Sequence, residues 1–301
     1  MARQVTNKVF MVKPVKFDYN EETAKDNIYQ KNNDLQKKEI QKRALKEFEL
    51  LVRKLEENGI QVNVVEDSLS PYTPDSIFPN NWFSSHEDSI IFYSMYTKNR
   101  REELNKFKKL LLELINEKKV KTIDFSPKAL ENKFLEGTGS LVLDRKFKKA
   151  YCCISKRSNK KLFLKFCKKL GYKPICFKAY QEGNPIYHTN VLMGIGEKIV
   201  LVCLEAIKSS KEREKVKREL LSSGKKIIEI SLKQVLKYLG NALELKGENG
   251  NFLILSQTAY SSLTENQKQD ILESTRIVTA NVETIEYFGG GSVRCMIGEI
   301  F

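Results

Sequence analysis

Histidine is scarce in this chain: its 301 residues include only His86 and His188. A nucleophile that needs an imidazole partner therefore has few candidates. Six cysteines are present, Cys152, Cys153, Cys167, Cys176, Cys203 and Cys295, but there is no Cys-x-x-Cys pair and no Cys/His spacing of a metal site. No metal or other cofactor is expected. Most of the cysteines lie in apolar runs, which implies core thiols in a reducing compartment. Long apolar runs are also missing, since none approaches the roughly 18 residues of a membrane span. Met1-Ala2-Arg3-Gln4-Val5-Thr6 has no apolar signal stretch. A soluble cytoplasmic protein without membrane contact is the expectation. Blocks interleaving arginine with aromatics are absent too. The net charge of +14 comes mostly from scattered lysines such as Lys106, Lys108, Lys160 and Lys168. It reads as solvated surface with weak affinity for polyanions, not as a specific nucleic-acid site.

What the chain does contain is a repeat. Five times an amphipathic helical segment ends and a short apolar strand follows, with junctions at Gly59, Lys119, Gly171, Gly224 and Arg276. A recurrence of about fifty to sixty residues signals repeated supersecondary units. Each helical segment places apolar residues at i, i+3 and i+4, the face that packs on a sheet. Further strands are expected at Ser89–Tyr93, Ser140–Leu143, Ala150–Ile154, Val191–Gly194 and Lys198–Val202, with a hairpin around Gly194-Ile195-Gly196-Glu197. No such unit can bury a core alone. Five arranged about a pseudo-fivefold axis can share one, which predicts an α/β propeller forming a single domain over residues 1–301.

Polar strings stand at the unit junctions. Pro74-Asp75-Ser76-Ile77-Phe78-Pro79-Asn80-Asn81-Trp82 holds the one tryptophan beside two amides. Leu135-Glu136-Gly137-Thr138-Gly139-Ser140 sets a carboxylate against a glycine turn that opens a strand. His188-Thr189-Asn190 lies between two apolar runs. Gly289-Gly290-Gly291-Ser292-Val293-Arg294-Cys295-Met296 delivers a cysteine from a triple glycine. Singly, these strings also read as Asx-rich turns, capping carboxylates or a buried thiol. Together they assemble a cysteine, a histidine, a glutamate and two amides, suited to attack on a planar carbon bonded to nitrogens. His86, between Ser84-Ser85 and Glu87-Asp88, is expected in a solvent-facing polar turn.

These four strings, in this order on this repeat, resemble the guanidine-modifying (pentein) superfamily, in particular its citrulline-utilisation hydrolase branch. The resemblance covers the chain from about Val9 to its end. It implies a five-bladed propeller with Cys295 as nucleophile, His188 as general acid/base, and Glu136 orienting both His188 and substrate nitrogens. It places Asp75 at the substrate α-amino group, and Arg157 with one of Arg100 and Arg101 at the α-carboxylate, for which bidentate arginine is suited. The thiol would attack as a thiolate beside a protonated His188. The partner is a small amino acid, and a homodimer is compatible with the fold.

Asn81 and Asn190 stand where arginine-specific deiminases carry aspartates. A buried guanidinium needs opposite charge. A carboxamide both donates and accepts, so it can bond a neutral ureido group without charge mismatch. The expected reaction is citrulline to ornithine, ammonia and carbon dioxide. The alternatives are an arginine deiminase or dihydrolase, the latter also carrying asparagine at the Asn81 position, and a non-catalytic amino-acid-binding protein.

Overall fold

The computed structural model describes residues 3–115 and 120–301. In chain order, β1 (Lys8–Lys13), α1 (Lys37–Glu56) and β2 (Gln61–Glu66) precede β3 (Phe83–His86), β4 (Ser89–Phe92), α2 (Lys98–Ile115) and β5 (Lys121–Asp124). The short helix α3 (Gly137–Ser140) leads into β6 (Val142–Asp144), β7 (Lys149–Cys153), α4 (Lys160–Leu170) and β8 (Lys173–Phe177). A ribbon of β9 (Tyr180–Gln181) and β10 (Asn184–Pro185) is followed by β11 (Met193–Ile195), β12 (Ile199–Val202), α5 (Ser210–Leu221) and β13 (Lys226–Glu229). Then come α6 (Leu232–Val235), β14 (Leu243–Gly247), β15 (Gly250–Ser256), α7 (Gln257–Ser261), α8 (Glu265–Leu272), β16 (Arg276–Ala280), α9 (Glu283–Gly289) and β17 (Gly298–Ile300).

Beside the ribbon, the described strands form five three-stranded sheets of one pattern: β3-β4-β5, β6-β7-β8, β11-β12-β13, β14-β15-β16 and β17-β1-β2. In each, the first pair is antiparallel and the second parallel. The parallel pair is joined through helix, as a parallel crossover requires. The middle strands β4, β7 and β12 are buried along their whole length. That is why they read as continuous apolar runs and not as alternating ones. The helices cover the sheets with one stripe each. On α1 the buried residues are Ile40, Ala44, Phe48, Leu51 and Leu55, at helical spacing. On α4 they are Leu162, Phe163, Phe166 and Cys167. Asn159 caps the start of α4 by accepting from Leu162 N, and Gly171 ends it in the left-handed conformation.

The first strands of the sheets meet: β17 packs on β3, and β11 packs on both β6 and β14. The hairpin expected around Gly194–Glu197 is present, with Ile195 opposite Val200. Several boundaries differ from expectation. Gly137–Ser140 is a helical turn, so the strand opens at Val142. Val191 belongs to a turn and its strand begins at Met193. The fifth helix ends at Leu272, and Arg276 opens β16. The expected helix end at Lys119, like the terminal Met1 and Ala2, lies outside the described residues. Among the described residues no helix is long and apolar enough to cross a membrane.

His86 is not in a solvent-facing turn. It is a buried residue of β3, with Nε2 3.0 Å from Ser84 Oγ and its ring beside Phe166 and Tyr172. Ser84 and Ser85 are buried with it while Glu87 and Asp88 stay exposed, and burial pushes the imidazole pKa well below its usual range.

Candidate active site

In every sheet the first strand is preceded by a tight turn, and these turns carry the polar strings. Pro79–Asn81 precedes β3, α3 precedes β6, Thr189–Val191 precedes β11, the Gly240-Asn241-Ala242 loop precedes β14, and Val293–Met296 precedes β17. Because the first strands pack together, the turns converge. They border a narrow cavity of about 30 Å³ whose walls include Asp75, Asn81, Arg100, Arg157, His188, Asn190, Asn241 and Cys295. Tyr29, Tyr187, Tyr238 and the glycines 289–291 complete much of the lining. Gly139 has no room for a side chain: a Cβ there would lie 2.4 Å from Asn81 Nδ2 and 2.8 Å from the His188 ring.

His188 Nε2 lies 2.7 Å from Glu136 Oε2. A carboxylate can only accept, so the imidazole proton sits on Nε2 and Nδ1 keeps a lone pair. The other Glu136 oxygen accepts from Tyr96 N at 2.8 Å, and Arg157 Nη1 approaches to 3.7 Å. Burial opposes ionisation of Glu136, but Arg157, His188 and Arg100 outweigh it and hold the carboxyl far below its usual range. Glu136 is fully buried behind His188 and does not line the cavity. The hydrogen bonds its side chain makes are the one to His188 and the one to Tyr96 N. Burial pushes His188 below its ordinary value of 6.5, with Glu136 pulling partly back. That shift disfavours the standing imidazolium expected beside the thiolate.

Cys295 Sγ receives two amide donors, Asn241 Nδ2 at 3.1 Å and Asn190 Nδ2 at 3.4 Å. The Oδ1 atoms of both amides are buried without a partner. Asn81 is arranged the other way. Its Oδ1 accepts from Arg100 Nη1 at 2.7 Å, and its Nδ2 is buried and unpartnered. Asp75 Oδ2 accepts from Asn20 and Thr23, while its Oδ1 has no partner. Burial raises the Asp75 pKa, with Arg100 pulling it down.

Arg100 is the inward member of the Arg100-Arg101 pair. Its guanidinium also pairs with Glu103 at 2.7 Å and donates to Phe78 O at 3.0 Å. Arg101 does not line the cavity. It turns to the carbonyls of Met95 and Tyr96, which corrects its candidacy. Arg157 pairs with Asp26, donates to Thr23 O at 3.1 Å and lies over the Tyr187 ring, while Nη1 makes only the ion pair with Glu136. The sequence reading missed Asn241, together with Thr23, Asp26 and Asn27 from the long segment before α1. Asn241 had a signal: it stands two residues before β14, as Asn81 stands two before β3. The segment before α1 had none. Among the described residues no group of three or more His, Cys, Asp or Glu side chains gathers as a metal site, and no cysteine is in a disulfide.

His188 and the Cys295 thiol line the same polar cavity, and an imidazole with a thiol is the residue pair that covalent catalysis uses. We expect His188→Ala to abolish ammonia release. His86→Ala should leave kcat/KM within about threefold and lower the thermal midpoint, because it removes a buried, hydrogen-bonded ring. Comparable activity losses in the two variants would overturn the assignment.

The model of a family described as N,N-dimethylarginine dimethylhydrolase, eukaryotic, matches residues 13–301. The search of curated proteins finds no match. Among solved structures, the chain is similar to the N-terminal domain of ArgZ, an arginine dihydrolase from the ornithine-ammonia cycle in cyanobacteria, in a substrate-bound mutant. The identity is 16% and the TM-score 0.76, over 97% of this chain and 98% of that one. Unliganded AgrE is similar at 18% identity and TM-score 0.77, over 96% of this chain and 38% of that chain. A mutant dimethylarginine dimethylaminohydrolase in adduct with S-methyl-L-thiocitrulline is similar at 12% identity and TM-score 0.66, over 98% and 99%. The fold is thus the α/β fold of these hydrolases.

Proposed function

We propose a function from one premise: this chain belongs to the family of eukaryotic N,N-dimethylarginine dimethylhydrolases, and is a hydrolase related to enzymes that cleave guanidino C–N bonds. Within that class, the proposed substrate is the ureido group of a free amino acid, best fitted by citrulline. The observation that carries this is the polarity of Asn81. Arg100 occupies its oxygen, so Asn81 can offer the ligand only an N–H. A ureido oxygen accepts that N–H, whereas a guanidinium has donors alone and would face it donor to donor. The free oxygens of Asn190 and Asn241 complement the ureido N–H groups. Charge supports the same reading. Asp75 is the one carboxylate in the described wall, and the α-ammonium is its natural partner. A cationic side chain would then be buried without a counter-charge, which is costly.

In the proposed mechanism, Cys295 passes its proton to His188 Nδ1 and its sulfur bonds to the ureido carbon. His188 returns the proton to the departing amino group, the C–N bond breaks and ammonia leaves. The resulting thiocarbamate is hydrolysed by a water that His188 deprotonates. Carbamate is released and decomposes to carbon dioxide and ornithine. Asp75 binds the α-ammonium, and Arg157, with Arg100, faces the α-carboxylate. The five like sheets are read as blades about a pseudo-fivefold axis, making residues 1–301 one catalytic domain. No cofactor takes part in these steps.

Arginine dihydrolysis is the second reading, supported by the likeness to ArgZ and AgrE. It would add a first round of the same chemistry that turns the guanidino into the ureido group. The test is ammonia, ornithine and citrulline release from citrulline, arginine, dimethylarginine and agmatine supplied separately. Ornithine from citrulline, with little turnover of the cations, is expected. Preferred turnover of dimethylarginine or arginine would overturn it.

The pH dependence follows from the two shifted groups. His188 must be neutral to accept a proton, and its pKa lies below 6.5. Asp75 must be ionised to hold an ammonium, and burial raises its pKa from the ordinary 3.8. Both losses fall on the acid side, so kcat/KM should hold at pH 7 and decline below 6.5. An acid limb centred above 7 would contradict this.

A further inference from the structure

Asn241 touches the reacting sulfur, and the loop that carries it has little freedom. Tyr238 adopts the left-handed conformation at φ 61°, and its hydroxyl donates to Glu286 O at 2.8 Å. Gly240 is flush against the neighbouring turn, where a Cβ would lie 2.3 Å from Val191 O. Asn241 N donates to Tyr238 O at 2.8 Å and closes the loop. The carboxamide orientation is fixed by its surroundings. Nδ2 donates to Sγ at 3.1 Å and lies 3.4 Å from Asn190 O. A flipped amide would set two oxygens against each other. Oδ1 is then left buried, in a cavity wall, with no protein donor. Such a group is open to an N–H from a ligand.

We propose that Asn241 is a positioning residue for the Cys295 sulfur, and that its free oxygen accepts an N–H from the reacting group as the third amide of the specificity set. The inference rests on the reading of Cys295 as nucleophile, and is independent of which ureido or guanidino compound is the substrate. Its physical basis is the pair of amide N–H groups 3.1 and 3.4 Å from Sγ. A hydrogen bond to the charged form of a group favours that form. The ionisable side chains that share the cavity wall with the sulfur include His188, Tyr187, Tyr238, Asp75, Arg100 and Arg157, and Arg294 precedes it in the same turn. All are retained in the variants below, so a difference isolates the amide.

The test needs no substrate. Alkylation of Cys295 by iodoacetamide is followed across pH at its own peptide by mass spectrometry, which separates it from the five other thiols. In Asn241→Ala the midpoint should rise by about one pH unit and the rate at pH 7 should fall about tenfold, the size of one lost charge-assisted bond. Asn241→Asp keeps the shape, removes the N–H and adds negative charge, so its midpoint should rise further. Near-ultraviolet circular dichroism checks that each variant is folded. A folded variant of either kind whose profile superimposes on the wild type overturns the proposal. A shifted profile with no citrulline turnover in the wild type supports it while rejecting citrulline.

Discussion

Replacement of Cys295 by serine is expected to abolish turnover, with a loss on the order of 10⁴-fold or more in kcat. The argument is chemical. The proposed sequence needs a sulfur that gives up its proton to a neutral imidazole and then leaves from a thiocarbamate. A serine hydroxyl is a far weaker acid, and His188, pushed below its ordinary pKa, is a poor base for it. The fold should survive. The residue lies within a tight turn, and serine Oγ can accept from Asn190 and Asn241 as sulfur does. A thermal midpoint within about 3 °C of wild type is expected. Intact-protein mass spectrometry during turnover checks the covalent step: the wild type should gain a substrate-derived mass and the serine variant should not. Turnover in the serine variant within tenfold of wild type would rule out Cys295 as the nucleophile.

The second large effect is a change of substrate. Asn81→Asp combined with Asn190→Asp should move the ratio of kcat/KM, citrulline over arginine, toward arginine by roughly two to four decades. Each substitution replaces an amide by a carboxylate able to make a charge-assisted bond to a guanidinium, worth about 1.5–3 kcal/mol. Absolute rates will fall as well. Position 190 loses an N–H donated to sulfur and gains a negative charge beside it, while an aspartate at 81 is partly neutralised by Arg100. Both penalties apply to either substrate, so the ratio is the quantity to read. Two outcomes would reject the amide-selection argument: a wild type that prefers arginine outright, or a double variant whose ratio stays put.

The path from sequence to site can be followed residue by residue. The repeat was legible because burial along a single element leaves a local trace. Apolar runs mark the middle strands, a helical stripe marks α1 and α4, and Gly171 marks a helix end. His188 and Cys295 could be picked out because a scarce imidazole and a cysteine after three glycines stand apart from their neighbours. His86 misled for the same local reason, since Ser84, Ser85, Glu87 and Asp88 are polar, and only the packing of Phe166 and Tyr172 against the ring shows that it is buried.

The amino-acid sequence by itself determined the kind and order of the units and singled out the turns that bear the cavity's polar residues. The tertiary structure alone decided that β17 joins β1, with Lys8 opposite Ile300, so that the chain's two ends complete one sheet. It also decided that Arg100 and not Arg101 faces the cavity, that Glu136 stands behind His188, and that Asn241 reaches the sulfur. The division has one physical cause. Periodicity records which face of an element avoids water, and that is a property of neighbours along the chain. Which distant side chain meets that face depends on how separate elements pack, and no local pattern encodes a contact between Asn190 and Cys295 across 105 positions.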